Sequence, residues 1–223
     1  MKRQSAASLW SQLTTWYTQQ IPEFADTLNP GALEEEIREL DEEVRRVTGT
    51  SLPSALVEIY KVNAGQKEFA VAGAFFGLPF LSPQDVLKQW LDWRSIADTD
   101  PELADEVVNT SYPRGAVRLQ YMNPGHIPFS YDGAGNHLGI DLSPGPKGNV
   151  GQVINFGRDQ DDRFVLADSL ETFFVWILYQ YYEGNYRIST LEDDGKVDRT
   201  IEISDPPYEH FLDAALILFG SSA

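Results

Sequence analysis

The chain has 223 residues, 17 basic against 34 acidic, for a formal charge of −17 at pH 7, with 42% apolar and 12% aromatic residues. A chain of this length can bury most of its apolar side chains in one core, and the composition excludes a disordered polypeptide. Without cysteine there is no disulfide frame, thiolate metal site or cysteine nucleophile, and so negative a charge disfavours nucleic acid and anionic membranes while favouring a cationic partner.

The cysteine-free composition suits a cytoplasmic location. Residues 214–219 form the longest strongly apolar run, too short for a bilayer, and polar residues follow Lys2 and Arg3 where a signal would need an apolar core.

Residues 5–21 place Leu9, Leu13 and Trp16 on one helical stripe beside Trp10, Tyr17 and Ile21, and Pro22 ends it. Asn29-Pro30 reads as an N-cap followed by a first-turn proline, with Leu33, Ile37, Leu40, Val44 and Val47 inward and Gly49 as the stop. Residues 51–54 open a third helix, closed at 63–65, and 73–81 read as a short strand running into a turn. Ser82 caps a fourth helix with Val86, Leu87, Trp90 and Trp93 inward, and 98–106 is an acidic connector.

From residue 117 the period becomes two, predicting strands at 117–121, 127–131, 137–142, 151–156 and 164–167 with turns at hairpin spacing. A capped apolar helix follows from 168, then a charged hairpin about 192–195 and a last helix over 207–219. The expected fold is α+β: one domain over 1–223, with a mostly antiparallel meander of five or six strands flanked by N- and C-terminal helices.

The chemistry-bearing residues are few. Three histidines, His126, His137 and His210, show no metal-ligand spacing, so neither metal nor cofactor is expected. His137 and Asp141 share one strand face and form the one candidate histidine–carboxylate pair. Gly133, Gly135 and Gly139 lie in a strand-to-strand turn and lack the following helix that a pyrophosphate needs. The acids at 159–162 lack the glycine and the twelfth-position glutamate of a calcium loop. No GxSxG elbow exists, and a carboxylate-pair hydrolase stays open as an alternative.

Residues 124–157, which include Tyr131-Asp-Gly-Ala-Gly-Asn136, Asp141-Leu-Ser-Pro-Gly-Pro146 and Gly151-Gln-Val-Ile154, resemble the fungal cell-wall assembly regulator and killer-toxin-resistance family of the SUKH superfamily. Residues 52–65, 75–82 and 165–173 are similar to the same family, so the resemblance covers about 30–185 and leaves 1–28 and 186–223 as appendages. Where that family usually has tryptophan, this chain has His126. The resemblance implies a binding role without catalysis. The compact chain points to the bacterial branch, whose members resemble immunity proteins neutralising basic toxin domains, often nucleases; a regulatory scaffold in cell-wall assembly is the alternative.

An acidic inhibitor of a basic toxin gains association rate from charge. The candidate contact residues are accordingly the acidic groups Asp98, Asp100, Glu102, Asp105 and Glu106; Asp159, Asp161 and Asp162; and Glu192, Asp193 and Asp194, joined by Asp132 and His126.

Overall fold

The computed structural model describes residues 4–67, 72–193, 196–208 and 210–220. It opens with α1 (Ala6–Gln20), whose first turn is capped by Ser5, and α2 (Phe24–Thr27). Next, α3 (Glu34–Thr48) begins four residues later than Asn29-Pro30 predicts. The backbone of 30–32 is engaged elsewhere: the Ala64 N–H donates to the Pro30 carbonyl and the Ala32 N–H to that of Tyr60. The Glu36 carboxylate then caps the helix by accepting from the Leu33 N–H at 2.7 Å.

Short α4 (Ser54–Tyr60) leads through 72–81, where single bridges, Phe75 with Leu78 and Phe80 with Ser130, replace the expected strand. Helix α5 (Pro83–Arg94) starts as its sequence predicts, with the Ser82 hydroxyl accepting from the Asp85 N–H. The acidic connector folds into two single turns, α6 (Ile96–Thr99) and α7 (Pro101–Ala104), the second capped by Asp100.

The sheet comprises β1 (Thr110–Tyr112), β2 (His126–Tyr131), β3 (Asn136–Asp141), β4 (Gln152–Gly157) and β5 (Asp162–Ala167), in the order β1-β5-β4-β3-β2. All neighbours are antiparallel except β1 and β5. Thereafter come α8 (Leu170–Tyr182), the hairpin of β6 (Tyr186–Asp193) and β7 (Lys196–Ile203), and α9 (Phe211–Phe219). The fold is α+β with helices flanking a mostly antiparallel sheet, as expected.

The expected strand at 117–121 does not form. Alternation there is real, since Val117 and Tyr121 are buried and Arg118 is exposed, but the backbone partners are not a neighbouring strand. The Ala116 carbonyl accepts from Gln152 Nε2 and the Gly145 N–H, while the Tyr121 carbonyl accepts from the Arg163 guanidinium. Side chains and loops thus take the place of a ladder.

One sheet face carries Ile127, Phe129, Leu138, Ile140 and Val153 into the main core, which draws residues from α1 to α5, α8 and α9. The segments outside the family resemblance, α1 and the hairpin with α9, both contribute to it. The opposite face bears a second, smaller cluster in which Ile154 and Phe156 meet Trp93, Val117 and Tyr121. No helix among the described residues is long and apolar enough to cross a membrane.

Candidate functional site

That opposite face is organised in rows by strand register. Tyr131, His137 and Phe156 stand directly across from one another on β2, β3 and β4. Their rings stack in sequence, with centroids 5.1 and 4.9 Å apart. Two residues along lie Pro128, Gly139 and Ile154, and beyond them His126, Asp141 and Gln152.

Gly139 is what lets the aromatic row spread. A Cβ there would sit 2.3 Å from Phe156 Cε1 and 2.8 Å from the Ile127 carbonyl oxygen. Gly139→Ala is therefore expected to displace the Phe156 ring and destabilise the fold by about 1–3 kcal/mol, the usual range for overpacking. Thermal unfolding reads this directly, and a variant as stable as the parent would contradict the placement of that ring.

The polar row is sealed. His126, Asp141 and Gln152 expose 0%, 0% and 1% of their surface. Asp141 accepts from the Ser143 N–H and from Gln152 Nε2, both at 2.9 Å. Burial raises its carboxyl to about 6, partly opposed by those two hydrogen bonds and by the charge of Arg118. His126 Nε2 lies 3.8 Å from Asp141, too far for a hydrogen bond. Burial and the nearby Arg163 charge hold this imidazole neutral, well below its usual range.

Arg163, also fully buried, donates to the carbonyls of Gln160 and Tyr121, and burial lowers it to about 10, still cationic at pH 7. The row fastens the long connections 113–125 and 143–151 to the sheet.

At the aromatic end a cavity of about 540 Å³ opens between α5, the connector and the β2–β3 turn, within the size range of ligand sites. Trp93, Tyr121, Tyr131 and His137 form its floor, Ile96 and Leu103 one rim, and Gly133 to Gly135 the facing rim. Gln89, Asp92 and Arg158 supply the polar lining. Burial pulls His137 down to about 4 against the opposing charge of Asp132, so it is neutral at pH 7, with Nε2 3.5 Å from Gln89 Oε1. Among the described residues, His137 Nδ1 and Trp93 Nε1 have no hydrogen-bond partner. A groove of about 590 Å³ between α3 and α5 has charges that already pair, Arg38 with Glu35 and Arg46 with Glu43, and offers less unmet chemistry.

The structure sorts the expected contact residues. Asp98, Asp100 and Glu102 lie on α6, α7 and the residue between them, the turns that supply Ile96 and Leu103, and Asp105 and Glu106 follow directly; all five are exposed. Asp132 is mostly buried, its carboxylate accepting from the N–H groups of Ala134 and Asn136 and so shaping the glycine rim. Asp159 holds Arg158 in a two-pronged pair, and Asp161 and Asp162 complete the same turn without lining the cavity.

Three expectations change. His126 has no exposed surface and so touches no partner. Asp141 neighbours His126, not His137, which stands two rows away, so the candidate histidine–carboxylate pair does not assemble. Glu192 and Asp193 belong to the separate hairpin, fastened to the N-terminal helices through the Arg199–Glu23 pair, and Glu192 does not line the cavity; the Asp193 side chain and Asp194 lie outside what the structure describes. Sequence reading missed Gln89, Asp92, Tyr131 and Arg158. The visible signal was register, since a hairpin closing over 133–135 sets Tyr131 opposite His137.

A family model for the SMI1 / KNR4 family (SUKH-1) matches residues 31–176, which covers every strand of the sheet and the whole cavity. The chain belongs to the SMI1/KNR4 family. Among similar proteins, the cell wall biosynthesis/cell cycle regulator smi1 of Schizosaccharomyces pombe is 31% identical over 91% of this chain and 40% of its own length. The cell wall assembly regulator SMI1 of Saccharomyces cerevisiae is 26% identical over 83% of this chain and 42% of its own. The glucan synthesis regulatory protein of Neurospora crassa is 27% identical over 81% and 39%. This SMI1/KNR4 chain thus spans about two-fifths of the length of the relatives it matches.

Proposed function

We propose that the chain is a non-catalytic regulatory module that binds a protein partner at the cavity beside α5, as a scaffold in cell-wall assembly. The observation that carries this reading is the coincidence of the cavity with the exposed acidic connector on one side of the sheet. A ring-floored concavity with a charged rim is the usual anatomy of a protein contact. The two buried histidines support a structural role: His126 is sealed, and His137 is neutral and paired with a glutamine instead of a carboxylate.

The names of the fungal relatives favour the regulatory reading over the toxin-neutralising one, for which charge complementarity to a basic toxin is the main support. A cytoplasmic site of action is part of the same proposal.

The test is an exchange of the matching segment of the S. pombe regulator for this chain. Wall assembly, read as resistance to a glucan-digesting enzyme, is expected to be restored. A chimera present at normal level that leaves the wall as fragile as a deletion contradicts the reading.

A further inference from the structure

We infer that the cavity beside α5 receives an arginine side chain from an extended segment of the partner. This rests on the reading of the domain as a protein-binding module and specifies the chemistry of what it binds. The first ground is charge. Asp92 lines the cavity, is exposed, and makes no ion pair among the described residues. Arg158, the one cation in the lining, is neutralised by Asp159 at 3.1 Å. Asp132 adds its field from behind the glycine rim, where it is felt by His137. The lining itself carries one acid and one base, and the acids that flank it, Asp159, Asp132 and those of the connector, make the field at the cavity negative.

The second ground is the floor. Trp93, Tyr121 and Tyr131 line the cavity, and aromatic rings draw a planar, weakly hydrated guanidinium, as Arg94 on the same helix shows by lying over the Trp90 ring at 4.7 Å.

The third ground is unmet hydrogen bonding by two cavity side chains that are more than nine-tenths buried. Neutral His137, with Nε2 turned to Gln89, leaves Nδ1 as an unpaired acceptor, and the Trp93 Nε1–H is an unpaired donor. A guanidinium supplies N–H donors and its main chain a carbonyl, the complement of both. An aliphatic anchor brings the same main-chain carbonyl but no donor for His137, and a carboxylate meets Asp92.

The test uses the full chain and three blocked pentapeptides, Gly-Gly-Xaa-Gly-Gly with arginine, leucine or glutamate at the centre, followed by NMR. The arginine peptide is expected to shift the Trp93 indole N–H and the amides of Gly133 to Gly135 saturably. The other two are expected to bind at least tenfold more weakly. Asp92→Asn, on an exposed helix position, is expected to weaken the arginine peptide about threefold to tenfold without altering the rest of the spectrum.

Equal shifts with the leucine peptide, no shift with any peptide, or an unchanged affinity in Asp92→Asn would each overturn the inference. The segment exchange in yeast reports separately on the regulatory reading: a restored wall with no arginine binding sinks only this site's chemistry, and arginine binding without a restored wall sinks only the regulatory role.

Discussion

Replacing Trp10 by alanine is expected to lower the unfolding free energy by about 3–5 kcal/mol, the range for removing a fully buried tryptophan. For a chain of this size that corresponds to a fall of about 10 °C in Tm. Trp10 has 0% exposure and its ring meets Phe75, Phe80 and Phe174, so it joins α1 to the 72–81 segment and to α8 at one point. Its Nε1–H donates to Asn63 Oδ1 at 2.9 Å, and truncation leaves that amide oxygen without its donor. Trp176, half-buried against Phe211 and Phe219, should cost distinctly less. A Trp10→Ala loss below about 1 kcal/mol would show that α1 is not integral to the core.

Acid is expected to destabilise the fold, with histidines as the cause. In the unfolded chain both buried imidazoles titrate near 6.5, whereas in the fold His137 titrates at about 4 and His126 well below its usual range. Between pH 6.5 and 4 the unfolded chain therefore binds protons that the folded chain refuses, and stability falls as pH falls. For His137 the full effect is about 3 kcal/mol.

Asp141 opposes this. Its carboxyl is raised to about 6, so the fold takes up a proton before the unfolded chain does, and its contribution grows as pH falls from 6 towards 3.8. Two histidines against one aspartate leave a net loss. His137→Phe keeps a ring between Tyr131 and Phe156 and removes one titration. Urea unfolding at pH 7.5 and pH 5 should show a smaller acid loss in the variant. Relief of the general negative charge is common to both proteins and cancels in the comparison. Equal losses would mean that His137 is protonated in the fold.

Much of this architecture was legible because periodicity reports burial. The stripe of α1, the Ser82 cap and the β2 to β5 strands follow from spacing alone, since each buries one face of a regular element. What periodicity cannot report is the partner of a buried backbone. Residues 117–121 alternate as a strand does, yet the carbonyls at either end, of Ala116 and Tyr121, accept from Gln152 and Arg163, far away in sequence. Strand β1 was missed because three residues carry too little pattern, and its parallel pairing with β5 depends on a chain crossing that no local signal encodes.

The site divides in the same way. Acidic rim residues were readable from charge, while His126 stood out as the departure from the family's usual tryptophan; only the register that puts it against Asp141 and Gln152 shows it sealed. Trp93 and Tyr121 read as core and are core, but they also form the cavity floor, a double role that follows from α5 ending over the edge of the sheet.

A rival contact surface exists on α8, where Val175, Tyr179 and Tyr182 are 52%, 58% and 67% exposed along one helical stripe. Arginine substitutions at the two places separate them, with Asp92→Arg at the cavity and Tyr179→Arg on α8, each placed in the segment exchanged into the S. pombe regulator. The account predicts that wall resistance is lost with Asp92→Arg and kept with Tyr179→Arg, at equal protein levels. Loss with Tyr179→Arg and full resistance with Asp92→Arg would contradict it.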